Sequence, residues 1–303
     1  MATMAIHNRD QRTAQGQTTI HSEGHNFLRL QKERDFFIGI DSDGCMFDTM
    51  EVKHKECFCP QTILCFRLQP VSKYAREAWE FVNLYSVTRG TNRYLSLQTT
   101  MELLAARPEV TRRGAVLPDL QSLRVWTRAE SKLGEPALRA YVAHGGDAAL
   151  KAVLTWSEAV NTAIREMVVG VPPFPLARES IAESMNRADL MVVSQTPHEA
   201  LVREWREHEL DRYVRLLAGQ EQGAKRDHLE VAVAAGYAPE RMLMIGDAPG
   251  DLSAARDNGM LFFPVIPGRE IESWERFYHE ARGRFFAGTF AGSYQESLLQ
   301  EFT

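Results

Sequence analysis

Residues 36–44 of this chain read Phe-Phe-Ile-Gly-Ile-Asp-Ser-Asp-Gly, an apolar run that ends in two carboxylates two positions apart. The run has strand length and is apolar throughout, which is typical of a strand buried on both faces of a parallel sheet. Ligands of open parallel sheets bind at the carboxyl ends of the strands, and residues two apart on an extended segment point to the same side. Asp41 and Asp43 are therefore candidate functional residues, although Asp, Ser and Gly are also ordinary turn residues.

The chain alternates between helix and strand after about residue 172. The residue patterns predict strands at 190–194, 213–217, 241–245 and 260–265, separated by helices at 176–185, from 196, at 225–235 and at 249–258. Thr196 is predicted to begin its helix as the first residue of a Thr-x-x-Glu capping box. Such alternation predicts an α/β fold with a parallel sheet. Helices follow to the C-terminus, and we expect their aromatic side chains to pack on the core.

A long helical insertion separates the first predicted strand from the others. Between about residues 50 and 170 the apolar residues recur with helical spacing, and the run Val-Gly-Val-Pro-Pro-Phe-Pro at 169–175 cannot be helix interior. We therefore predict a polar extension at 1–34, an α/β domain made of 35–51 and 173–303, and a helical domain at 52–172. We expect Asp48 and Met50 to lie near the first hinge and Val171 to Phe174 near the second.

Composition excludes several classes of protein. Hydrophobic residues make up 44% and charged residues 25%, as in ordinary globular domains, so the chain is neither collagen-like nor wholly disordered. The net charge of -5 argues against a nucleic-acid partner, and no apolar run suits a membrane span. We expect a cytoplasmic protein, because no secretory signal or disulfide framework is visible. We expect it to be a monomer or a homodimer. His54, Cys57, Cys59 and Cys65 suggest zinc only weakly, since Cys-x-Cys is not the usual ligand spacing.

Further polar residues follow the other predicted strands. Ser194 ends the second strand, Lys225 is the only lysine after position 151, and Asp247 and Asp251 follow the fourth strand. Each alone has an ordinary explanation: a strand-to-helix turn, a surface lysine or a helix cap. Together, carboxylates from two strand ends suit Mg²⁺, and a hydroxyl beside the free N–H groups of a helix start suits an anion.

In their order and spacing, these motifs resemble the haloacid dehalogenase (HAD) superfamily over residues 36 to about 266. The first motif departs mildly from the family pattern, because Cys45 stands where Thr or Val is usual. The resemblance implies a Rossmannoid α/β core with a central parallel sheet and an inserted, all-helical C1-type cap.

The resemblance also implies a role for each motif residue. Asp41 would be the nucleophile that becomes an aspartyl phosphate, and Asp43 would protonate the leaving oxygen and then activate water. The implied phosphate-binding residues are Ser194, Gln195 and Lys225, and Lys225 would also neutralise charge during catalysis. The implied Mg²⁺ ligands are Asp41, Asp43 through its backbone carbonyl, Asp247 and Asp251, the last binding through water or orienting Lys225.

An acid at position 43 fits an ester, since a leaving alkoxide needs a proton and a halide does not. The expected activity is therefore a Mg²⁺-dependent phosphatase acting on a small soluble phosphate monoester. A phosphomutase of the β-phosphoglucomutase kind and a non-catalytic scaffold that binds a partner are the alternatives. In the cap, Arg89, Asn92 and Arg93 lie in a polar loop that either contacts substrate or is a solvated helix–helix turn.

Overall fold

The computed structural model describes residues 29–302, so most of the predicted polar extension, residues 1–28, lies outside the described residues. The remainder of that extension lies against the sheet domain. The backbone N–H groups of Glu33 and Arg34 donate to the Asp189 carboxylate, at 2.8 and 2.7 Å.

Five parallel strands form one sheet in the order β3-β2-β1-β4-β5. The strands are β1 (Phe36–Ile40), β2 (Ala188–Val193), β3 (Leu216–Ala218), β4 (Met242–Gly246) and β5 (Leu261–Pro264). The strand that carries the first motif is therefore central, as its apolar sequence predicts, and the expected α/β class is confirmed.

Alternate residues of the strands supply two apolar layers, one on each face of the sheet. Ile38 and Ile40 belong to one cluster, whereas Phe37 packs with Met191 and Met244 in the other. Successive side chains of a strand point to opposite faces, so a strand covered on both sides must be apolar at every position.

Most of the residues between the first two strands belong to the helical insertion or to its connections. Its α-helices are α1 (Cys59–Cys65), α2 (Ser72–Glu80), α3 (Arg93–Ala105), α4 (Pro108–Arg112), α5 (Gln121–Ala129), α6 (Glu135–Ala143) and α7 (Ala148–Met167). Two π-helical segments, Val52–Phe58 and Phe81–Tyr85, precede α1 and follow α2. The insertion has its own apolar cluster, built around buried residues such as Trp79 and Trp156, which supports treating it as a domain.

The two connections to the insertion lie side by side. The backbone N–H of Phe174 donates to the carbonyl of Met46 at 3.0 Å, and Phe47 forms a β-bridge with Pro173. The segments expected to act as hinges are thus neighbours.

The remaining helices flank the sheet. They are α8 (Ala177–Ser184), α9 (His198–Glu207), α10 (Lys225–Ala234), α11 (Pro249–Asp257), α12 (Glu270–Arg276), α13 (Arg282–Ala287) and α14 (Ser293–Phe302). Trp274, Phe277 and Phe285 are buried in the apolar cluster of one sheet face, so the predicted packing of the C-terminal aromatics is confirmed. In the part of the chain that the structure describes, no helix has the length and apolar character needed to cross a membrane.

Two local predictions are wrong. The strand predicted at 213–217 begins later, because Asp211–Tyr213 forms a 3-10 turn before β3. Thr196 is not the cap of α9, which begins at His198; its hydroxyl instead donates to the Asp43 carboxylate at 2.7 Å. The first N–H of α9 is satisfied by the Glu221 carboxylate, at 2.8 Å.

Candidate active site

The carboxyl ends of β1, β2 and β4 bring the motif residues together beneath the helical insertion. They line a cavity of about 460 Å³ whose walls come from both the sheet domain and the insertion. The motif residues in its wall are Asp41, Asp43, Ser194, Gln195, Lys225 and Asp247. A cavity of this size accommodates a small metabolite.

Lys225 joins two of the carboxylates. Its Nζ lies 2.9 Å from Asp41 Oδ2 and 2.7 Å from Asp251 Oδ1. The other Asp251 oxygen accepts the backbone N–H of Ala248 at 3.1 Å, so Asp251 holds the ammonium group in place from the start of α11. Burial acts to lower the pKa of Lys225, but Asp251 and Asp41 outweigh it, and Lys225 is held fully protonated.

Asp41, Asp247 and Asp251 form a buried group whose oxygens lie within 4.8 Å of one another. Burial raises the pKa of Asp41 well above its ordinary value, against the attraction of Lys225. Burial and then Asp251 raise the pKa of Asp247 to about 6. Asp247 Oδ1 is buried without a hydrogen-bond partner. A hard divalent cation bound by carboxylate oxygens would satisfy that atom and offset the repulsion, so the donor set fits Mg²⁺.

The Asp43 carboxylate takes no part in this group of three, and its oxygens accept other bonds. Thr49 Oγ1 lies 2.5 Å and Lys53 Nζ 2.6 Å from Asp43 Oδ1, and Thr196 Oγ1 lies 2.7 Å from Oδ2. Burial acts to raise the pKa of Asp43, but Lys53 and the hydroxyl donors outweigh it and the pKa is lowered. Because these bonds occupy the Asp43 carboxylate, its backbone carbonyl remains as the group that could bind a metal ion, as the resemblance implies.

Lys53 is a site residue that sequence reasoning missed, and Glu204 is another. Lys53 Nζ lies 3.0 and 3.2 Å from the two Glu204 oxygens, and both side chains are buried. Thr49 and Lys53 are four residues apart, so both reach Asp43 from one face of the segment that enters the insertion. That spacing is a usable signal, whereas nothing local marks Glu204, which reaches Lys53 from α9.

Two of the three predicted phosphate-binding residues, Ser194 and Gln195, lie at the end of β2. Ser194 is buried, and its Oγ accepts the backbone N–H of Thr196 at 3.1 Å. Gln195 Nε2 donates to the carbonyl of Gly223 at 3.0 Å, which ties the end of β2 to the loop before Lys225. Ser194 therefore faces the cavity, while the Gln195 amide nitrogen holds the loop.

Arg89 reaches the site from the insertion. Its Nε lies 3.4 Å from Asp247 Oδ2, so this side chain pairs with a predicted metal ligand. The adjoining Gly90 has φ of +76°, and a Cβ there would lie 2.8 Å from the Ala248 Cβ. The loop thus sits directly on the start of α11.

The other loop residues proposed from the sequence have structural partners. Asn92 Oδ1 caps α3 by accepting the Tyr94 N–H at 3.0 Å, and its Nδ2 donates to a backbone carbonyl at 2.8 Å. Arg93 Nη1 donates to Asn161 Oδ1 at 2.7 Å, and its guanidinium lies 5.1 Å from the centre of the Phe58 ring. Both residues line the cavity, and both belong to the insertion.

His54, the histidine of the weak zinc pattern, contacts aromatic side chains. His54 Nδ1 accepts the Trp79 N–H at 3.2 Å and its ring stacks on Phe58, while burial lowers the pKa of His54 to about 3. The converging group found in residues 29–302 consists of carboxylates, and all four cysteines are free.

No protein-family model and no curated protein sequence matches the chain. Matching solved structures include a haloacid dehalogenase-like family hydrolase from Streptococcus pneumoniae (15% identity, 79% of this chain and 90% of that chain, TM-score 0.41). Another is a haloacid dehalogenase-like family hydrolase from Xanthomonas campestris (10% identity, 86% of this chain and 97% of that chain, TM-score 0.45). A third is a predicted phosphoglycolate phosphatase from Haemophilus somnus (16% identity, 77% of this chain and 86% of that chain, TM-score 0.41).

Proposed function

We propose that this chain is an enzyme of the HAD superfamily, a Mg²⁺-dependent phosphatase that hydrolyses a small phosphate monoester through an aspartyl phosphate on Asp41. One observation carries the proposal: Asp41 contacts Lys225, whose side chain is 15% exposed, within a group of three carboxylates at the base of a cavity of metabolite size. Phosphoryl transfer requires positioning and neutralisation of charge, and this arrangement supplies both.

In the first half of the proposed reaction, a bond forms between an Asp41 oxygen and phosphorus while the ester P–O bond breaks. Lys225, 2.9 Å from Asp41, offsets charge on the nucleophile and the phosphoryl oxygens. The leaving oxygen takes a proton from Asp43. An arriving phosphate dianion raises the pKa of a neighbouring carboxyl group, which supports protonation of Asp43 before this step.

In the second half, water attacks phosphorus, the bond between phosphorus and the Asp41 oxygen breaks, and inorganic phosphate is released. Asp43 accepts the proton of that water. Lys53, Thr49 and Thr196 favour the carboxylate form that this role requires.

Asp41, Asp247 and Asp251 are the proposed carboxylate ligands of Mg²⁺, together with the Asp43 backbone carbonyl. The ion would neutralise the negative charge that a phosphate ester adds to a site already rich in carboxylates.

Residues 52–172 are the proposed cap, which excludes water from the site and selects the substrate. Two contacts support this role: Lys53 reaches Asp43 and Glu204, and Arg89 reaches Asp247. Both cations come from the insertion and meet carboxylates of the sheet domain.

The test is phosphate release from p-nitrophenyl phosphate, with Mg²⁺ or with EDTA, by wild type, Asp41→Asn and Asp48→Asn. Asp48 is exposed and lies on the same connection, so it is a matched control. We expect Mg²⁺-dependent turnover in wild type and in the Asp48 variant, and none with Asp41→Asn. Equal turnover by the Asp41 variant would refute the proposal. If the enzyme instead isomerises a phosphate ester in the presence of a bisphosphate and releases no phosphate, the phosphomutase alternative would replace this proposal.

A further inference from the structure

Arg203 is a residue of the cavity wall, and two of its guanidinium nitrogens have no hydrogen-bond partner. It lies on α9, and with Glu199 and Ala200 it forms the helix face that lines the cavity wall. Its Nε and Nη2 are buried without a hydrogen-bond partner. Burying charged donors without partners is unfavourable, so a group that accepts hydrogen bonds from them would be stabilised there.

The other cationic side chains in the cavity wall are engaged differently. Lys225 and Lys53 contact buried carboxylates, Arg139 pairs with Glu135 and Glu158, and Arg93 donates to Asn161. Arg165 is exposed and donates to Thr162 at 3.4 Å. Of the cations that line this cavity in residues 29–302, Arg203 is the one with buried donors and no partner for them.

Glu204, the next residue, attracts Arg203 electrostatically, but both Glu204 oxygens accept bonds from Lys53. The neighbouring carboxylate is therefore already satisfied and does not use the Arg203 donors.

We propose that Arg203 binds a second anionic group of the substrate, a carboxylate or a further phosphate, apart from the phosphoryl group that Asp41 attacks. The inference rests on the proposed phosphatase function and narrows its substrate class. Nε and Nη2 are adjacent donors on one edge of the guanidinium plane, and this edge binds two oxygens of a carboxylate or phosphate at once. The cavity of about 460 Å³ is lined by both Asp41 and Arg203, so one small molecule can reach both.

The experiment uses two pairs of substrates that differ in one anionic group. 3-Phosphoglycerate is compared with glycerol 3-phosphate for the carboxylate, and fructose 1,6-bisphosphate with fructose 6-phosphate for the second phosphate. The enzymes are wild type, Arg203→Met, Arg203→Lys and Arg206→Met. Arg206 lies on the same helix but is exposed, which makes it the matched control.

We expect wild type to have the higher kcat/KM for the doubly anionic member of at least one pair, and that pair identifies the class of the anion. Arg203→Met should reduce this preference roughly 10- to 100-fold, the effect of losing a hydrogen bond to a charged group. Arg203→Lys should restore part of it, because the charge returns without the two-pronged geometry, and Arg206→Met should leave it unchanged.

If both pairs keep the same kcat/KM ratio in Arg203→Met as in wild type, the inference is wrong while the phosphatase function stands. If wild type hydrolyses none of the four esters, the assay with p-nitrophenyl phosphate decides the proposed function, and calorimetric titration with 3-phosphoglycerate and glycerol 3-phosphate decides the inference. Weaker binding of 3-phosphoglycerate alone by Arg203→Met would support it, and equal binding by wild type and variant would overturn it. Thermal melting of each variant verifies folding.

Discussion

Replacing Lys53 with methionine tests the charge network that links the cap to the sheet domain. Lys53 Nζ lies 2.6 Å from Asp43 and 3.0 Å from the nearer Glu204 oxygen, and its side chain is only 5% exposed. Methionine keeps most of the side-chain length and removes the charge. The variant therefore leaves the buried Glu204 and the partly buried Asp43, 4% and 18% exposed, without their shared cation.

Removing one partner of a buried ion pair destabilises a protein by about 3–5 kcal/mol, because the remaining charge stays buried. The matched control is Lys55→Met on the same π-helical segment. Lys55 pairs with Glu51 at 2.8 Å, but its side chain is 30% exposed and that of Glu51 60%. An exposed pair four residues apart contributes only about 0.3–0.5 kcal/mol.

Urea unfolding, followed by tryptophan fluorescence, measures both variants. Trp205 is buried on α9 beside Glu204, so it reports on the domain that loses its cation. The double variant Lys53→Met/Glu204→Gln removes the second charge as well, and we expect it to be more stable than Lys53→Met alone. In activity assays Lys53→Met should move the acidic limb of the pH profile to higher pH, because Lys53 lowers the pKa of Asp43.

A free energy of unfolding for Lys53→Met within about 0.5 kcal/mol of that for Lys55→Met would refute this reasoning. It would mean that water or movement of the cap already screens the buried carboxylates. A loss of stability without any shift of the pH profile would instead separate the structural role of Lys53 from its effect on Asp43.

Three further predictions concern other contacts. Gly90→Ala should speed tryptic cleavage of the cap loop far more than Gly114→Ala, since both glycines have positive φ but only Gly90 leaves no room for a Cβ. Burial, followed by the charge of Lys225, lowers the pKa of His228 to about 4. Wild type should therefore lose stability as pH falls below about 6.5, because there the histidine takes up a proton in the unfolded chain but not in the folded one. Between pH 7 and 5, wild type should lose about 2 kcal/mol more than His228→Leu in urea unfolding. Thr196→Val should reduce phosphatase kcat about tenfold, by removing a donor from Asp43, while Thr196→Ser retains it; equal rates would contradict the role.

The strands and the motif residues could be predicted because their causes are local. A strand buried on both faces is expected to be apolar; β1 and β4 have that pattern, and β2 departs from it at Asp189 alone. The bounds of β3 were predicted wrongly because it is a three-residue edge strand in which Leu216 and Leu217 are only partly buried. The ends of parallel strands share one sheet edge, so polar residues that follow separate strands meet there whatever the intervening chain does.

Thr196 shows where local reasoning fails. Thr-x-x-Glu is a sound capping signal, but the hydroxyl donates to the Asp43 carboxylate, which is 153 positions away in sequence. The hydrogen bond that the hydroxyl donates to a charged carboxylate is stronger than the one it would accept from a backbone N–H as a helix cap. The long-range contact therefore determines where the side chain lies. Glu221 then satisfies the end of α9, and no short sequence window contains that information.

The protonation states in the site are also set by residues outside the motifs. Asp41 and Asp43 are two positions apart, yet the pKa of Asp41 is raised and that of Asp43 lowered. The difference arises because Asp41 faces further carboxylates, whereas Asp43 faces Lys53 and two hydroxyl groups. The negative charge of an arriving phosphate would favour protonation of Asp43, and a divalent cation would favour the ionised form of Asp41, which are the states that a proton donor and a nucleophile require. The carboxyl ends of the strands therefore determine where the carboxylates lie, while Lys53, Thr49 and Thr196, which lie outside the motifs, lower the pKa of Asp43.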